Sequence, residues 1–191
     1  MVSEYNKTFD KQNYTVRPLE RGDYEKCIFQ SCDLSNAVLT DQKFFDCRFI
    51  DCNLSLARLD KTLFRDVQFK QCKMLGLLFE KCNEHGLTVA FDSCNLTHSS
   101  FYGRKIKNSR FSECQLIEVD FSGCDLSGST IYKCDLASAR FENTVLDKAD
   151  LRQSYNFVID PEMNRLKGAR FSLTELAGLL QKYQIRIDND L

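Results

Sequence analysis

Ten cysteines and two histidines are the residues of this chain whose types most readily do chemistry. The cysteines stand at positions 27, 32, 47, 52, 72, 82, 94, 114, 124 and 134. In an oxidising compartment such a set would form a disulfide framework, and closely paired it would bind zinc or cycle as a dithiol. No Cys-x-x-Cys occurs, and neither His85 nor His98 has a partner at ligand spacing. No nucleophile–base pair and no glycine-rich phosphate loop appears, so no catalytic residue, metal or cofactor is expected. The spacing of the cysteines carries a different message. Up to Cys82 they are separated by multiples of five, and again from Cys94 onward. They keep time with a repeat.

Every fifth residue from Phe9 is apolar or aromatic: Phe9, Tyr14, Leu19, Tyr24, Phe29, Leu34, Leu39, Phe44, Phe49, Leu54, Leu59, Phe64, Phe69, Met74 and Phe79. After a slip of two residues the series resumes at Phe91 and continues every fifth residue to Leu151. It fails at Asn156 and Pro161 and returns at Leu166 and Phe171. Every phenylalanine except Phe45 and Phe157 falls in one of these slots. All the cysteines except Cys82, which lies at the slip, sit two residues ahead of a slot, where the other occupants are mostly small: Ala37, Ala57, Ser99, Ser109, Ser129, Ala139 and Ala149. The unit is small, polar, large apolar, polar, polar, as in Cys32-Asp33-Leu34-Ser35-Asn36. A period of five is neither the 3.6 of an amphipathic helix nor the 2 of an alternating strand. The cysteines therefore read as reduced, buried spacers between larger side chains.

Over roughly residues 24–171 this pattern resembles the pentapeptide-repeat family. The resemblance implies an all-β fold, a right-handed quadrilateral parallel β-helix with four pentapeptides per coil and one on each face. Residues twenty apart should then stack. One column runs Phe9, Phe29, Phe49, Phe69, Phe91, Phe111, Ile131, Leu151, Phe171, and crosses the slip without leaving its face. Six cysteines form another: Cys32, Cys52, Cys72, Cys94, Cys114 and Cys134.

The breaks in the period are where function is expected. Two extra residues must lie within 83–88, where Glu84, His85 and Gly86 form a candidate loop, either a simple corner bulge or a knob for a partner. Tyr155, Phe157 and Val158 fall at nominally outward positions. Residues 1–171 are assigned to the solenoid, with 1–21 an irregular first coil that caps that end. Residues 172–191 are assigned to a cap. There Ser172-Leu173-Thr174-Glu175 has the form of a capping box and opens a predicted helix of about eleven residues. Ile185-Arg186-Ile187 follows as a predicted strand. Leu173, Leu176, Leu180 and Tyr183 share the helix face and are the candidate dimer interface.

Charge nearly balances, with 26 Lys+Arg against 27 Asp+Glu. Direct nucleic-acid binding and attachment to a membrane surface are therefore not expected. No apolar run has membrane-spanning length and Met1–Gln12 is polar, so a cytoplasmic protein is expected. The segment Asp160 to Leu166 and the tail after it resemble those of the McbG, Qnr and MfpA group of gyrase-interacting resistance and immunity proteins. That likeness implies a homodimer joined through the C-terminal helix. It also implies a rod that imitates duplex DNA, binds DNA gyrase or topoisomerase IV, and relieves poisoning by quinolones or a peptide toxin. A DNA mimic needs an acidic face. The clearest acidic stripe lies along the third column: Asp41, Asp60, Glu80, Asp120, Glu142, Asp160 and Glu162. The alternative is a protein-interaction scaffold with no topoisomerase target.

Overall fold

A computed structural model describes residues 1–187. Its strands are short because the chain turns a corner every five residues. They are β1 (Val2–Tyr5), β2 (Thr8–Asp10), β3 (Gly22–Glu25), β4 (Ile28–Gln30), β5 (Lys43–Phe45), β6 (Arg48–Ile50), β7 (Leu63–Arg65), β8 (Val67–Lys70), β9 (Val89–Asp92), β10 (Arg110–Ser112) and β11 (Thr130–Tyr132). All pair in parallel. One sheet has the order β1-β3-β5-β7, and the other β11-β10-β9-β8-β6-β4-β2. Isolated parallel bridges build the remaining faces, such as Asn13–Asp33–Asn53–Lys73–Asn95 and Ser100–Asp120–Arg140. The register is twenty residues, Phe29 against Phe49 for example, until β8 meets β9. There Phe69 pairs with Phe91. The fold is the expected parallel β-solenoid with a short C-terminal helical cap.

The large slots fill the bore. Rings stack parallel and offset along the axis, Phe29 on Phe49 at 4.6 Å and Phe79 on Phe101 at 4.4 Å between centroids. Across the bore they meet edge to face, Phe101 to Phe111 at 5.8 Å and 89°. Both geometries suit the aromatic quadrupole. At the corners, the residue two after the slot adopts the left-handed conformation, as Asn36, Asp41, Asp46 and Asp51 do. Asn and Asp tolerate it best among residues with a side chain, which accounts for the polar character of that position.

The small slots are more than spacers. Ser154 Oγ accepts the N–H of Cys134 at 3.0 Å and donates to the carbonyl of Ile131 at 2.8 Å. Asn164 does the same with its amide, taking the Thr144 N–H and giving to the Phe141 carbonyl. Cys52 follows suit with sulfur, accepting from Cys32 N at 3.4 Å and donating to Phe29 O at 3.3 Å. At these corners a side chain from the next coil satisfies the backbone groups. All ten cysteines are free and buried. Burial pushes the Cys47, Cys82 and Cys124 thiols up to about 12.

The two ends of the rod differ in build. In the first coil β1 and β2 pair with β3 and β4 and Asn13 bridges Asp33, while residues 14–20 carry neither strand nor bridge. The coil leaves Phe9 and Tyr14 only partly buried beside a hollow lined by Val2, Pro18 and Tyr24. At the other end the predicted helix is split. A 3₁₀ turn (Leu173–Glu175), the short helix α1 (Ala177–Leu180) and a second 3₁₀ turn (Gln181–Tyr183) follow one another. The capping box does not form, since Ser172 Oγ instead accepts the Gln153 N–H at 2.8 Å. Gly178 gives its carbonyl to Ile159 N at 3.0 Å, which anchors the helix to the solenoid at its weakest helix former. Ile185–Ile187 carries no strand.

Phe157 also differs from its expected outward position. It is buried, its ring 5.4 Å from that of Phe171. A Cβ on Gly178 would come within 2.2 Å of the Phe157 carbonyl, so only glycine lets the cap approach this closely. Tyr155 and Val158 remain exposed.

Candidate functional site

β8 and β9 pair twenty-two residues apart rather than twenty. Asn83 N bonds Thr62 O at the regular spacing, whereas Thr88 N bonds Phe64 O three residues further back than that spacing allows. A 3₁₀ turn (Phe79–Lys81) leads in. Glu84 and His85 are exposed, and Gly86 sits at φ +126°, closed to ordinary side chains. Two contacts clamp the loop: Asn83 Oδ1 accepts from His85 N, and the Arg104 guanidinium donates to the Asn83 carbonyl at 2.5 Å. Arg104 occupies a small slot two residues before Ile106, an anomaly the sequence displays but the periodicity alone does not explain. Leu87 is buried in the core cluster.

The seven acidic candidates lie along one face but do not act as one charge. Asp41 pairs with Arg21 at 2.9 Å. Asp160 and Glu162 both hold Lys182, at 2.7 and 2.6 Å, and Tyr183 OH donates to Glu162 at 2.8 Å. Lys182 holds both carboxyls below the usual carboxylate range. Asp120 turns one oxygen to the Ser122 N–H. Glu80 buries Oε2 without a hydrogen-bond partner. Asp60 and Glu142 are exposed and have no ion pair among the described residues. Arg140 pairs directly with Asp120 in the backbone ladder of this face, and Arg58 stands in the corresponding ladder position against Val38.

At the C-terminal end, Leu173 is 84% exposed, Leu176 and Tyr183 are also exposed, and Leu180 is half-buried. The packing against the solenoid is done instead by Gly178 and Leu179. Ile185 and Ile187 extend the exposed apolar surface. Among the described residues no group of His, Cys, Asp or Glu converges to hold a metal ion, and no helix is long and apolar enough to cross a membrane.

The family model described as the pentapeptide repeat region matches residues 23–89 and 78–151. The chain belongs to the pentapeptide-repeat family. Pentapeptide-repeat proteins are characteristically non-enzymatic scaffolds. Two trypsin-treated variants of QnrB1, a plasmid-mediated fluoroquinolone resistance protein, are similar in structure. The first is 17% identical with a TM-score of 0.70, covering 98% of this chain and 92% of that one. The second is also 17% identical with a TM-score of 0.66, covering 98% of each chain. HetL, a pentapeptide-repeat protein involved in heterocyst differentiation regulation in the cyanobacterium Nostoc, is 17% identical with a TM-score of 0.51, covering 88% of this chain and 84% of HetL. At these identities the likeness is one of fold. No curated protein matches this pentapeptide-repeat chain.

Proposed function

We propose that the protein is a non-enzymatic DNA mimic that binds DNA gyrase or topoisomerase IV and protects it from quinolones or a peptide toxin. The observation that carries this reading is the end-to-end similarity to QnrB1, a fluoroquinolone resistance protein, across 98% of the chain. The exposed Leu173, Leu176 and Tyr183 support it, since pairing two copies there would double the rod and cover an apolar surface. Ten free thiols fit a reducing, cytoplasmic setting. In a supercoiling assay with ciprofloxacin, purified protein should restore gyrase activity at a stoichiometry near the enzyme's. Absence of both rescue and gyrase binding rejects the reading.

A scaffold without a topoisomerase target is the second reading. It is favoured by the neutralisation of Asp41, Asp160 and Glu162 and by the arginines among the acidic residues of the face. A pull-down from the native host that returns a different partner and no topoisomerase would favour it.

A further inference from the structure

β1 and β2 stand at the ends of their sheets. Each pairs with a strand of the second coil, and among the described residues nothing pairs with the other side. The ladder further along shows which groups this leaves bare. Ile28 N bonds Lys7 O, and Arg48 N bonds Cys27 O. Leu34 N bonds Asn53 O, and Met74 N bonds Asn95 O. The N–H and the C=O of the residue just before a slot therefore both face the preceding coil. Ser3 and Thr8 hold that place in β1 and β2, opposite Asp23 and Ile28, and their N–H and C=O groups point off the end of the rod.

Beyond β2 the same edge is blunted. Gln12 Nε2 donates to the Asp10 carbonyl at 2.7 Å, Arg17 N to the Asn13 carbonyl at 3.4 Å, and Pro18 has no N–H. Ser3 and Thr8 have no such cover among the described residues. Beside them the ring stack breaks off. Phe9 lies on Phe29 at 4.8 Å, and the stack runs on through Phe49, Phe69, Phe91 and Phe111. On its other side Phe9 meets a hollow of about 190 Å³, whose apolar wall is Val2, Phe9, Tyr14, Pro18, Leu19 and Tyr24. A cavity of about 150 Å³ is enough to hold a benzene ring.

We infer that this edge takes an extended segment of another protein as one further strand, parallel to β2, with an aromatic side chain seated over Phe9. The rod itself specifies that occupant. A row of bare N–H and C=O groups pairs with an extended backbone. Every strand pair of the rod is parallel, which sets the direction. The broken stack and the size of the hollow set the side chain. The repeats of a second copy are already closed into coils, so the segment comes from a different chain. Neither a topoisomerase target nor pairing through Leu173 and Leu176 is needed for this.

The test uses the full chain, labelled with nitrogen-15, and a peptide of the rod's own pattern, acetyl-Ala-Ser-Thr-Ser-Asn-Ala-Thr-Phe-Ser-Asn-amide. The peptide is uncharged, so the mixed charges of Glu4, Lys7, Arg17 and Glu20 at this end do not decide the outcome. It should shift the amides of residues 3–10 saturably and slow deuterium exchange at Ser3 and Thr8. Replacing its Phe by Ser should weaken binding at least about tenfold, since burial of an aromatic side chain is worth more than that factor. Methylating the amide nitrogen of its Phe should weaken binding as much, because the ladder aims that N–H at the Thr8 carbonyl. Thr8→Pro should do the same with little change in melting temperature, since proline is accepted where a strand's N–H points off the sheet. If that variant melts lower, the methylated peptide decides alone. No saturable shifts, shifts centred elsewhere, or undiminished binding of the Ser or methylated peptide would overturn the assignment. So would concentration-dependent shifts of residues 3–10 without peptide, which would give the edge to a second copy.

Discussion

Cys134 and Ser154 sit directly above one another in successive coils, and the serine hydroxyl is the hydrogen-bond acceptor for the cysteine amide at 3.0 Å. The same position carries serine, threonine, cysteine, asparagine or glutamine elsewhere, each bonding a backbone group of the coil before it. Where the small slot carries one of these residues its side chain ties two coils together, whereas at Ala37, Ala57, Ala139 and Ala149 it only fills space.

That tie separates two substitutions of similar volume. Cys52→Ser should be tolerated, since serine makes the same pair of bonds at other corners. Cys52→Ala should lose about 1–3 kcal/mol by leaving the Cys32 amide and Phe29 carbonyl unsatisfied. Urea denaturation of the two variants measures the difference, and equal stability would return the cysteines to the role of plain fillers.

Thiol reactivity follows from the same burial. With the Cys47, Cys82 and Cys124 thiols pushed up to about 12, the reactive thiolate is scarce near neutral pH. Iodoacetamide at pH 7.5 should label these residues only after unfolding, and dithiothreitol should not move the melting temperature. Rapid labelling of the native protein, read by mass spectrometry, would contradict the burial.

Acid should loosen the cap before the solenoid. Asp160 and Glu162 are depressed by Lys182 in the folded protein, so they favour folding at neutral pH. That contribution is lost as pH falls from the ordinary carboxylate range through their lowered folded values. Hydrogen exchange at the Ile159 amide, which donates to Gly178, should accelerate over that window relative to the core strands. Lys182→Ala should remove the transition.

The exposed leucines make a prediction about assembly. The wild-type protein should run as a dimer in light scattering, and the double variant Leu173→Asp, Leu176→Asp as a monomer with little change in melting temperature. A monomeric wild type would remove the C-terminal end as an interface.

The columns were legible because the period of five fixes which residues face inward, and the stacking of Phe69 on Phe91 across the slip follows from it. The hydrogen-bonding role of the small slot was not, since it depends on how far a corner amide reaches into the next coil. Leu87, Phe157 and Gly178 escaped for a related reason: each lies where the chain leaves the period and tertiary contact decides. Acidic residues can be counted along a face, but their neutralisation by Arg21 one coil away and by Lys182 in the cap belongs to the folded molecule.

The step from a twenty- to a twenty-two-residue register between β8 and β9 is absorbed at one corner, whose ends are held by Thr62 and Arg104 on one side and Phe64 on the other. Beyond that corner the coils on either side keep their own twenty-residue register, with Leu87 and the Arg104 clamp tying the segment in. Residues 83–88 therefore form a splice point at which this rod can lengthen, by evolution or by engineering, and acquire a new recognition loop while every other turn keeps its phase.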